Sequence, residues 1–108
     1  MVASHAPFAP NSIERALEDL RAGKFIVVAD DEDRENEGDL VCAAELVTPE
    51  MVNFMLDAKG MICLAMTGEW VDHLGLGPQA DDNTEAMHTA FTVSIDAAAK
   101  FGVTTGIS

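Results

Sequence analysis

Seven carboxylates and one arginine crowd the ten positions from Asp30 to Asp39, D-D-E-D-R-E-N-E-G-D, and apolar segments flank them on both sides. Like charges at that density repel one another and disfavour a compact chain unless a cation or ligand neutralises them. Before the run, Phe25-Ile26-Val27-Val28-Ala29 is short, β-branched and apolar throughout, the pattern of a strand buried on both faces. After it, Leu40-Val41-Cys42-Ala43-Ala44 resumes as a second strand. The acidic run is therefore predicted to be a loop at a strand end. In α/β sheets that is where ligands are held on a rigid scaffold.

The rest of the chain alternates helix and strand signals. Asn11 and Ser12 are N-cap types, and Ile13, Ala16, Leu17 and Leu20 follow at helical spacing until Gly23. Thr48-Pro49-Glu50 predicts a second helix start, with a cap, a proline in the first turn and an acid at the positive end of the dipole. Met51, Val52, Met55 and Leu56 form its apolar face, and Gly60 its stop. Met61 to Met66 predicts a third buried strand, Thr67 a short helix stopped by Gly75, and Ala90 to Ile95 an alternating strand. Residues 78–88 carry no periodicity. Thr104-Thr105-Gly106 resembles a turn into a further helix, with Ser108 as its cap. The fold class expected is α/β: a layered α/β sandwich with a mixed sheet, residues 1–108 forming one domain whose C-terminal part is missing.

The overall charge excludes some functions. A net −13 argues against a nucleic-acid binder and against charge-driven binding to an anionic membrane. Ten residues of the loop carry −6 of it, so the remainder is only moderately acidic. Apolar residues at 48% exclude disorder by composition, and no run approaches a membrane span. The start of the chain has neither a basic region nor an apolar one, so no secretory signal is visible and a cytoplasmic protein is expected. Cys42 and Cys63 lie in apolar surroundings without C-x-x-C spacing, as reduced core thiols would, or one of them is a site residue.

A solvated surface loop is the bland account of the acidic run. A calcium loop starting at Asp33 fails, because position 12 is Ala44 and a strand stands where a helix is required. Mg²⁺ or Mn²⁺ suits the run better, since such hard cations take one or two carboxylates and complete their shell with water and substrate oxygens. Arg34 either balances charge or orients a substrate oxygen with its planar fork. Glu35, Glu37 and Asp39 alternate, so an extended segment would project all three to one side. Crowded carboxylates push one another's pKa values apart, which lets one act as base while another keeps a proton.

Asp30 to Leu40 closely resembles the signature loop of 3,4-dihydroxy-2-butanone-4-phosphate synthase of riboflavin biosynthesis. The family's later segments have counterparts in Gly60 to Thr67 (G-M-I-C-L-A-M-T), Thr89 to Asp96 (T-A-F-T-V-S-I-D) and Thr104 to Ser108 (T-T-G-I-S). The resemblance implies conversion of ribulose 5-phosphate to 3,4-dihydroxy-2-butanone 4-phosphate and formate, with Mg²⁺ or Mn²⁺ and no organic cofactor. Enolisation, dehydration and skeletal rearrangement need a placed carboxylate and a Lewis acid. By this likeness Glu35 is the metal ligand, and Arg34 with Glu35 is the substrate-contacting pair. Glu37 and Asp39 handle protons and sugar hydroxyls, with Asp39 also touching substrate. Asp30 is a substrate-side acid, Cys63 a cysteine near the site or a core thiol, and Thr104 and Thr105 help hold the substrate.

The resemblance also implies something absent here. The family's R-x-G-H-T-E segment, with its metal-binding histidine and phosphate-gripping residues, and a later catalytic glutamate have no counterpart, and His5, His73 and His88 match none of it. The stretch alone is expected to be catalytically incomplete, with a homodimer partner supplying some of the missing groups. Two other readings stay open: a non-catalytic divalent-cation or docking module, and the front of a bifunctional protein fused to GTP cyclohydrolase II.

Overall fold

A computed structural model describes residues 12–102, which fall into two compact units divided between Gly60 and Met61. The expected Asn11 cap and the Thr104–Ser108 turn lie outside the described residues.

The first unit opens with helix α1, Ser12–Arg21, over the stripe that the apolar spacing predicts. Arg15 and Lys24 approach the Asp19 carboxylate at 3.6 and 3.8 Å, on the exposed side of the helix and its exit. Gly23 follows with φ 76, a left-handed step open to glycine without a steric penalty. Strands β1, Ile26–Ala29, and β2, Gly38–Val41, then pair as an antiparallel hairpin, with Ile26 opposite Val41 and Ala29 opposite Gly38. A short 3₁₀ turn at Ala44–Leu46 leads to helix α2, Pro49–Asp57. The Thr48 hydroxyl accepts the Met51 N–H at 3.2 Å, the cap expected from the sequence. Phe54 of α2 meets Phe25 with ring centroids 5.5 Å apart, which anchors the helix next to the base of the hairpin.

In the second unit, helix α3 runs Gly68–Leu74 under a Thr67 cap that accepts the Trp70 N–H at 3.3 Å. Gly75, at φ 68, ends it in the left-handed region. Beyond it, Pro78 and Thr92 form an antiparallel bridge, supported by Gln79 N–H to Phe91 C=O and Val93 N–H to Gly77 C=O. A single 3₁₀ turn, Ala99–Phe101, closes the described part.

Helices with a small antiparallel sheet are consistent with the α/β class. Several finer expectations differ. Among the described residues the sheet has two strands, both in the first unit, and β2 begins two residues before Leu40. Met61–Met66 forms no strand, and Ala90–Ile95 is reduced to the bridge at Thr92. Both segments have strand-like sequences, but a strand also needs an edge that accepts its N–H and C=O groups. Nor is β1 covered on both faces: Val27 is 69% exposed and Val28 47%. No described residue is fully buried, and Leu64, Trp70 and Ile95 are also open to solvent. Cys63, expected in a core strand, is an exposed free thiol, while Cys42 is a half-buried one.

Candidate active site at the acidic hairpin loop

The hairpin register decides where each acid of the run stands. Asp30 N–H donates to Glu37 C=O at 2.9 Å, which extends the ladder one step past Ala29 and Gly38. Within that frame Arg34 N–H donates to Asp31 C=O at 3.1 Å, so residues 31–34 form a tight turn. The turn folds Arg34 back over the start of the loop. Its Nη1 donates to Asp30 Oδ2 at 2.6 Å and to Glu35 Oε2 at 3.2 Å.

Charge-assisted contacts of this kind are shorter and stronger than neutral hydrogen bonds. The Arg34 guanidinium is held above its ordinary pKa first by the Asp30 charge, then by Glu35, and also by Asp39. Asp30, Arg34, Glu35 and Asp39 thus form one electrostatic group, around the lone base of the loop. Asp39 enters it from β2, where it pairs with Val28. Glu37 joins through its backbone carbonyl. The expectation that Glu35, Glu37 and Asp39 line one side of an extended segment needs correction. Asn36 stands between the first two at φ 52, a left-handed step that breaks the alternation. Glu35 belongs to the turn and Asp39 to the strand.

Asn36 is the residue that the sequence reading missed. The available signal was its type: asparagine is several-fold enriched among non-glycine residues at positive φ. Of the other candidates, Cys63 belongs to the second unit and is exposed, and Thr104 and Thr105 lie outside the described residues. His88 is exposed at φ 54.

Among the described residues no three His, Cys, Asp or Glu side chains converge as a metal cage. The loop offers hard carboxylate oxygens, of which Glu35 is partly exposed and tied through one oxygen to Arg34. In kind, these donors suit a cation that accepts one or two carboxylates and fills its shell from water and substrate.

The second unit has its own ordered segment where the sequence shows none. Asn83 Nδ2 donates to Thr89 C=O at 3.0 Å, its Oδ1 accepts the Glu85 N–H at 3.0 Å, and Glu85 Oε2 accepts the Thr89 N–H at 2.9 Å. Backbone donors at Thr89 and Met87 pull the Glu85 carboxyl below its ordinary pKa. This loop, with Val71, Asp72 and Phe91, borders an open cleft of about 870 Å³.

The family model of 3,4-dihydroxy-2-butanone 4-phosphate synthase matches residues 14–108, nearly the whole chain and all of the acidic hairpin. The chain belongs to that family. Among curated synthase-family relatives, the riboflavin biosynthesis protein RibBA of Synechocystis is 60% identical over 91% of this chain, and that of Aquifex aeolicus 56% over the same share. The chain spans 18% and 24% of their respective lengths. A crystal structure of RibBX from A. baumannii, a two-domain 3,4-dihydroxy-2-butanone 4-phosphate synthase, is similar at a TM-score of 0.73 and 48% identity. That likeness covers 89% of this chain and 28% of the other. Among the described residues of this family member, no helix is long and apolar enough to cross a membrane.

Proposed function

We propose that the chain serves the reaction its family is named for, within riboflavin biosynthesis. D-ribulose 5-phosphate is converted to 3,4-dihydroxy-2-butanone 4-phosphate and formate. The observation that carries this reading is the Arg34 guanidinium, clamped between Asp30 and Glu35 at the open end of the hairpin. A cation fixed beside several carboxylates suits the hydroxyl and carbonyl oxygens of a sugar: the guanidinium orients oxygens, and neighbouring acids accept and return protons. Asp30 and Arg34 bind and orient the substrate, and Asp39 holds a sugar hydroxyl. Glu37 and Asp39 supply the proton-transfer carboxylates; by the family likeness, Cys63 is proposed as a further catalytic group, and Thr104 and Thr105 as substrate-binding ones.

Glu35 is proposed as this chain's ligand for Mg²⁺ or Mn²⁺, with no organic cofactor. Bound there, the metal would supply Lewis-acid stabilisation of the oxyanion character that enolisation creates. The residues of the loop do the rest: they bind the sugar, set its orientation and move its protons.

Further groups come from outside this stretch, including a second copy in a homodimer. Two observations support this: no described residue is fully buried, and the chain spans 28% or less of the relatives it matches. A second reading is the front of a longer bifunctional protein that also carries GTP cyclohydrolase II activity; the chain spans 18% and 24% of the two RibBA relatives. Formate release from ribulose 5-phosphate, measured with and without Mg²⁺ on the native protein and on Glu35→Gln, tests the assignment. Turnover that does not depend on Mg²⁺ would overturn the metal assignment to Glu35, and absent turnover by the unaltered protein would overturn the synthase reading and favour a scaffold that docks cations.

A further inference from the structure

We propose that Asn36 is a positioning residue of the acidic loop, acting through its left-handed backbone rather than through its amide. The inference rests on the synthase reading of that loop. At Asn36 the chain changes from a turn to a ladder within one residue. On one side Glu35 is still in the turn and bound to Arg34. On the other, Glu37 C=O already accepts the Asp30 N–H at 2.9 Å. The change is made at φ 52, a region that a Cβ disfavours and a β-branched side chain essentially excludes.

With this reversal the Asp30 main chain meets Glu37 while the Asp30 side chain meets Arg34. Were residue 36 extended, Glu35 and Glu37 would continue one alternating strand, and the Arg34–Asp30 clamp would lose its frame. Among the described residues the Asn36 side chain has no hydrogen-bond partner, so the demand falls on its backbone. Asparagine and glycine meet that demand. Alanine does so at a cost, and valine does not.

The test compares Asn36→Gly, Asn36→Ala and Asn36→Val in the native protein. Two measurements are made: kcat and KM for formate release at saturating Mg²⁺, and hydrogen exchange of the peptide spanning residues 26–41. N36G should keep turnover within about threefold of the unaltered protein, because glycine adopts positive φ freely. N36A should lose roughly fivefold and N36V roughly thirtyfold, the range expected when a left-handed step is penalised. Exchange in the hairpin should quicken in the same order while peptides from α2 and α3 keep their protection. Equal losses in N36G and N36A would overturn the proposal, since the amide would then be what matters. Unchanged turnover and protection in N36V would overturn it as well. If the unaltered protein releases no formate, the synthase reading fails, and the order of exchange alone decides the role of Asn36.

Discussion

Arg34 Nη1 lies 2.6 Å from Asp30 Oδ2, closing a five-residue loop of chain with one charge-assisted bond. The arginine is about half exposed and the aspartate largely covered, with side-chain exposures of 49% and 19%. A pair this wet adds little to stability but aims a planar donor set at the loop's open end.

Asp30→Asn should therefore separate function from folding. Its loss of one charged partner is expected to lower kcat/KM about ten- to hundredfold, the worth of a charge-assisted bond. Stability should change by less than about 1 kcal/mol, as for other exposed pairs. Steady-state kinetics and urea unfolding on the same preparation check both. Arg34→Lys should behave like Asp30→Asn, because an ammonium lacks the planar donor set that the Nη1 contacts to Asp30 and Glu35 hold in place.

Glu35→Gln keeps the size of the side chain and removes its charge. Titration calorimetry should show Mg²⁺ affinity reduced by more than about tenfold, since even outer-shell losses at metal sites cost that much. Undiminished Mg²⁺ heats in the variant would transfer the ligand role to another carboxylate.

Helix α2 depends on its cap. Thr48→Ala removes the acceptor of the Met51 N–H and should destabilise the protein by about 1 kcal/mol. Thr48→Ser should restore most of that in a denaturant series, and an alanine variant as stable as the unaltered protein would mean the cap bond does not form.

The Glu85 loop should respond to acid. Its carboxyl is held below the ordinary range by the backbone N–H groups of Thr89 and Met87. The loop's extra stability is present above the ordinary carboxylate pKa and disappears as pH falls through the lowered one. Nuclear magnetic resonance of the Thr89 amide should show one acid transition, displaced below the ordinary range. Glu85→Gln should abolish it.

Exposed apolar residues such as Val27, Leu64 and Trp70 carry a consequence for assembly. Light scattering on the native protein should give a dimer, with thermal stability that rises with concentration. A monomer with concentration-independent unfolding would remove the homodimer from the proposed function.

Much of the candidate site was legible in the order of the residues. The crowding of carboxylates between two apolar segments located the loop, and the lone arginine marked its organising charge. The partner of Arg34 was not legible. Asp30, Asp31, Glu32 and Asp33 all precede Arg34 within four residues, and sequence spacing does not choose among them. The turn N–H from Arg34 to Asp31 C=O makes that choice, by swinging the guanidinium back to Asp30. The alternation at Glu35, Glu37 and Asp39 misled for a related reason: it presumes an extended chain, and Asn36 is not extended.

What the amino-acid sequence determined by itself was local. Thr48 and Thr67 cap their helices, Gly75 ends one, and the α1 stripe forms, because each depends on groups three or four residues apart. Tertiary structure decided which of the strand-like segments pair. β1 and β2 have each other across the loop, whereas Met61–Met66 and Ala90–Ile95 have comparable sequences and, among the described residues, no edge beyond the bridge at Thr92. A helix satisfies its own hydrogen bonds, but a strand borrows them from a partner elsewhere in the chain.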